Sequence, residues 1–207
     1  MNIEQLANIL SRHIPPAAAP TVAQYLDKYQ VQLTIKWARS TKLGDYRSPR
    51  KGEKHAISIN HNLNPYAFLL TLVHELAHLL TFDKYGHRVA PHGEEWKSEF
   101  KQLMHPLIAM KVYPEPLEKV LLNYLRNPKA ASCADPHLLR AMNQYNAVPD
   151  TFVEQLPIGT FFKVDKERVF QKGEKRRKNY QCIELNSKNI YLVPGLMKVL
   201  EHWTNPQ

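Results

Sequence analysis

A chain of 207 residues with 43% hydrophobic content can bury one full core and a second, smaller one, so two domains are expected. Its only cysteines, Cys133 and Cys182, lack CxxC spacing, which excludes a disulfide framework or a cysteine metal knuckle and points to a reducing compartment, the cytoplasm. The formal charge of +9 fits attraction to polyanions, but lysine-rich surfaces also serve solubility, so charge alone names no partner.

From the N-terminus, MNIEQLANIL carries Glu4 in place of a basic head, and no apolar run approaches eighteen residues. Neither a secretory signal nor a membrane span is expected. Apolar residues at positions 3, 6, 9 and 10 predict a short amphipathic helix over Ile3–His13, and after the break PPAAAP a second follows from about Val22 to Tyr29. Val31–Ala38 and Ile57–Ile59 alternate apolar and polar residues and read as strands, with TKLGDYR between them turning at Gly44 and Asp45. Asn64 before Pro65 is an N-cap and first-turn pair, and no Gly or further Pro interrupts the chain to Phe82, so this segment is predicted helical. Its apolar stripe is Leu69, Val73, Leu76, Ala77 and Leu80.

Helices are expected next over Gly93–Leu103 and Leu117–Leu125, and the compositional shift at NPKAASCADP sets a boundary between domains 1–128 and 132–207. Beyond a helix from Pro136 to Tyr145, the runs FFKV, RVFQ, NYQCIEL and NIYLV predict a small antiparallel sheet with Phe162, Val169, Phe170 and Ile183 in its core. Basic residues concentrate in residues 1–60 and again in KGEKRRK, Lys172–Lys178. That second run reads as a solvated hairpin tip turning at Gly173. Trp37 and Tyr180 read as core strand residues; the competing role for them and Tyr46 is stacking on unpaired bases.

The chemistry concentrates in LVHELAHLL. His74, Glu75 and His78 form H-E-x-x-H, a string expected by chance roughly 0.03 times in a chain of this composition. Histidines four apart on a helix share a face and can grip one ion, with the adjacent carboxylate available as a base. A catalytic zinc takes three protein ligands and keeps a fourth position for water, so a third donor must come from elsewhere. The candidates are His87, His92 and Glu99; His92 is preferred because Gly86 and Pro91 can turn the chain back so that His92 opens the next helix. His13, His55, His61, His105, His137 and His202 have no such partners in sequence and read as surface or structural residues.

The runs VQLTIKWARSTKLGDYR, ISINHNL, LLTLVHELAHLL and HGEEWKSEF, in this order over roughly residues 1–126, resemble the SprT-like zinc metallopeptidases, relatives of the Spartan proteases that degrade DNA-crosslinked proteins. The resemblance implies an α+β fold: a zincin-like domain with a small sheet and an HExxH helix, then a small antiparallel β domain. It implies Zn2+ held by His74, His78 and His92, with Glu75 as catalytic base. A metzincin would place its third histidine where this chain has Lys84. The family's four-cysteine zinc ribbon is not matched, so a metal-free C-terminal β domain is expected in that position. The expected partner is a protein or peptide substrate, with DNA as a second partner for the basic surface. The rival expectation is a DNA-associated binding protein whose metal is structural or regulatory.

Overall fold

The computed structural model describes residues 2–39, 41–50, 52–129 and 135–204, and the chain divides into two compact units, Met1–Ala147 and Val148–Gln207. This division lies later than the boundary expected between 128 and 132. The reason is the helix Pro136–Asn143, whose Leu138 and Met142 are buried in the first unit's core. Cys133 lies outside the described residues.

In the first unit, α1 (Ile3–Leu10) is closed by a capping box in which Asn2 and Gln5 exchange side-chain to backbone hydrogen bonds. A short 3-10 turn, Pro16–Ala18, leads into α2 (Ala19–Lys28), which starts three residues before the expected position because prolines suit a first helical turn. Three strands follow: β1 (Gln32–Lys36), β2 (Gly44–Arg47) and β3 (Ala56–Asn60), in the order β1-β3-β2. β1 runs parallel to β3, and β2 runs antiparallel to it, pairing Gly44 with Ile59 and Tyr46 with Ile57. The expected turn at Gly44 and Asp45 is therefore a strand. Their turn-forming chemistry is overridden by the ladder to β3 and by the helix beneath it.

That helix, α3 (Pro65–Tyr85), is the centre of the unit. Asn64 caps it by accepting from the backbone N–H groups of Tyr66 and Ala67, and Gly86, at φ 62°, ends it. By length and composition α3 could cross a membrane, yet most of it is buried here, with Leu69, Val73, Leu76, Ala77 and Leu80 all in the core. Ile57 and Ile59 of β3 pack on this core together with α1, α2, α4 (Glu94–Ala109) and α5 (Glu115–Arg126). The last helix, α6, spans Pro136–Asn143.

The second unit is a five-stranded antiparallel sheet of β4 (Phe161–Lys163), β5 (Val169–Arg176), β6 (Asn179–Glu184), β7 (Ile190–Pro194) and β8 (Glu201–Trp203), in the order β7-β6-β5-β4-β8. Phe162 and Phe170 are in its core with Val153, Tyr180, Cys182 and Val193, but Ile183 is 41% exposed and Val169 only partly buried. Strand alternation explains Ile183, because its neighbours Cys182 and Glu184 point inward. The run KGEKRRK differs from expectation in two ways. β5 continues through it to Arg176, the turn falls at Arg177 (φ 56°), and Gly173 lies within a register irregularity between Lys172 and Lys175. Lys172 is also buried, its Nζ donating to the Glu154 and Leu156 carbonyls and lying 4.0 Å from the Tyr180 ring centroid. Tyr180 is thus a core residue, whereas Trp37, just past β1, is 84% exposed.

Candidate metal centre

His74 and His78 stand one turn apart on the partly exposed flank of α3, and His92 reaches them from the turn before α4. The His74 Nε2 lies 3.2 Å from both the His78 Nε2 and the His92 Nε2, and the three donor atoms all lie within 4.8 Å of one another. A tetrahedral ion with bonds near 2.0–2.1 Å separates its nitrogen ligands by about 3.3 Å, so the spacing fits a common metal. This histidine cluster can hold a metal ion.

Burial lowers the proton affinity of all three imidazoles. It takes His74 down to about 3 and His78 to about 4, and the neighbouring imidazoles add to the effect in both. The rings are therefore neutral at pH 7 and offer lone pairs. Their orientation is set by Trp96, which is fully buried and packs against all three, with centroids 4.7 Å from His74, 5.5 Å from His78 and 4.8 Å from His92. Its Nε1 donates to the His74 carbonyl at 3.4 Å, and its ring stacks on Phe100. Trp96 stands in the first turn of α4, just past His92, which places its ring beside that histidine.

Glu75 is buried beside β2, where the Tyr46 backbone N–H lies near its carboxylate. Burial pushes its affinity for a proton up to about 7, Asp45 adds to this, and the Tyr46 donor, Arg39 and Lys42 oppose it. A carboxyl poised near neutrality can both take and give a proton. The two other candidate ligands lie elsewhere. Glu99 is buried with its carboxylate 2.7 Å from Lys84 Nζ, joining α4 to α3, and His87 packs edge-on against Phe82. The Tyr46 hydroxyl is 3.0 Å from His55 Nδ1. What sequence reasoning missed is the part played by β2: Gly44 and Tyr46 flank Glu75, in a run whose composition reads as a turn.

With this geometry in view, residues 19–114 match the model of the SprT-like family. Over these residues the chain is similar to the SprT-like family. The match takes in β1 to β3, the metal helix and all three histidines. Protein SprT of Klebsiella pneumoniae is 37% identical over 92 residues, which cover 41% of this chain and 55% of that protein. Protein SprT of Vibrio parahaemolyticus is 57% identical over 35 residues, and that of Pasteurella multocida 49% over 43 residues, or 21% and 26% of their lengths. The chain thus spans about half, or less, of the length of these curated relatives. No solved structure matches it.

Proposed function

We propose that this SprT-like protein is a zinc-dependent metallopeptidase of zincin-like architecture that hydrolyses peptide bonds. The convergence of three neutral imidazoles beside a buried carboxyl is the observation that carries the reading. When bound, zinc acidifies a water molecule and polarises the scissile carbonyl, and the all-imidazole donor set suits it better than hard, oxygen-preferring ions. Glu75 accepts the proton of the attacking water on its carboxylate and returns it to the leaving amine. Trp96 holds the imidazoles in place. β2 lies at the edge of its sheet, where an extended substrate can add as a further strand and be aligned by main-chain hydrogen bonds.

The exposed Trp37, following Lys36 in a region rich in basic residues, favours an added affinity for single-stranded DNA, which would bring enzyme and DNA-associated proteins together. The test is cleavage of casein with zinc, with and without single-stranded DNA, repeated with a chelator and with Glu75→Gln. The reading expects cleavage that needs metal and falls by about 10²- to 10⁴-fold in the metal-loaded variant. Undiminished cleavage by Glu75→Gln sinks it. Salt-sensitive DNA binding without proteolysis under any condition would favour a binding protein with a structural metal.

A further inference from the structure

β2 and β3 alternate inward and outward together, so Gly44 and Tyr46 face α3 on the same side as Ile59 and Ile57. An inward side chain is the rule for a half-buried strand, and here the position nearest Glu75 has none. A Cβ built on Gly44 would lie 2.5 Å from Glu75 Oε1, 2.7 Å from Thr71 Cγ2 and 2.9 Å from Glu75 Cγ, all inside the distance that carbon contacts tolerate. Gly44 needs no unusual backbone conformation; what it supplies is room.

The strand above this space is firmly pinned. Arg39 donates from Nε to Asn60 Oδ1 at 2.8 Å, from one terminal nitrogen to Ser58 Oγ at 3.0 Å, and from the other to the Ser58 carbonyl at 3.2 Å. Asn60 answers with Nδ2 bonds to the carbonyls of Arg39 and Lys42 and a backbone N–H to the carbonyl of Leu43. Below, Thr71 is buried, and its hydroxyl donates to the Ala67 carbonyl at 2.7 Å. Neither wall yields easily, so a side chain at position 44 must displace the one neighbour with freely rotating bonds, the Glu75 carboxylate.

We propose that Gly44 is a positioning residue for Glu75: its missing side chain is the space that lets the carboxylate lie against β2, beside the Tyr46 amide. The proposal rests on Glu75 serving as the base of a peptidase, and Arg39 and Asn60 act in it by holding the strand at its height.

The test compares Gly44→Ala with the double variant Gly44→Ala/Thr71→Ser, which removes the Thr71 methyl contact but leaves the clash with Glu75. Metal content, kcat, KM and the Tyr46 amide proton resonance are measured in each. Both variants are expected to bind metal as the parent does, with KM little changed and kcat lower by about 100-fold, the usual cost of misplacing a catalytic group by an ångström. The Tyr46 amide resonance should move in Glu75→Ala, which removes the neighbouring carboxylate, and move similarly in the Gly44 variants. Should the parent cleave nothing, the peptidase reading fails while the amide resonance still decides the placement of Glu75. Parental kcat in the double variant, loss of its metal, or a Tyr46 amide unmoved by these substitutions would each overturn the proposal.

Discussion

Each unit takes ionisable side chains wholly or partly out of water, and puts them to different uses. In the second, Lys172 turns its ammonium onto two backbone carbonyls and the face of Tyr180, and Glu184 accepts from the backbone N–H groups of Asn186 and Ser187. Their polarity is consumed by the fold, which is what buried polar groups ordinarily do. In the first, His74, His78 and His92 direct one nitrogen each at a shared point, and a nitrogen of His74 cannot satisfy both neighbours at once. A group drawn out of water therefore marks function when its bonding capacity is left over, and structure when it is used up.

The comparison can be pressed hardest at His92. Replacing it with Ala removes one of three donors, so metal affinity should fall by more than the 10- to 100-fold typical of changes around a ligand, read by metal analysis of the purified protein. Full metal content would separate His92 from the centre. Acidification tests the same group less severely. In the metal-free protein His74 and His78 take up protons only near pH 3 and 4, whereas the unfolded chain does so near 6.5. Their contribution to stability is complete above that value and declines as pH falls, by about 1.4 kcal/mol per pH unit for each. Glu75, raised to about 7, works in the opposite direction between roughly pH 7 and 4.5, because there the folded state holds the extra proton. Two histidines outweigh one carboxyl, so the metal-free protein should lose about 1.4 kcal/mol per unit between pH 6 and 5 in urea titrations. A flat profile would mean that the imidazoles are solvated. A further test belongs to the other unit. Lys172→Met strands the Leu156 carbonyl and should destabilise that unit by about 1–3 kcal/mol in thermal or urea unfolding, with metal content unchanged.

Much of the metal centre is legible in one dimension. Asn64 and Pro65 announce the start of α3, the spacing of four puts two histidines on one flank, and Gly86 marks the return that brings His92 back. These are local rules obeyed locally. β2 was hidden because Gly44 and Asp45 are turn residues by composition, and only the approach of Glu75 from another element explains a glycine within a strand. Gly173 misleads for a similar reason: the Gln181 backbone crowds it from the facing strand, so it accompanies an irregularity in the ladder and not the reversal. The domain boundary depended on where α6 finds apolar company, and a shift in composition says nothing of that.

The dual role of α3 has a thermodynamic corollary. Leu69, Val73 and Leu76 anchor the interior on one side of the same cylinder that presents His74 and His78 on another, so the ligand pair cannot come apart without melting the helix around which the first unit is assembled. A cation held by this cluster would link its occupancy to the folding equilibrium of that unit, each tenfold rise in free ion above the dissociation constant adding about 1.4 kcal/mol of resistance to unfolding. Scarcity of such an ion would then weaken the fold itself.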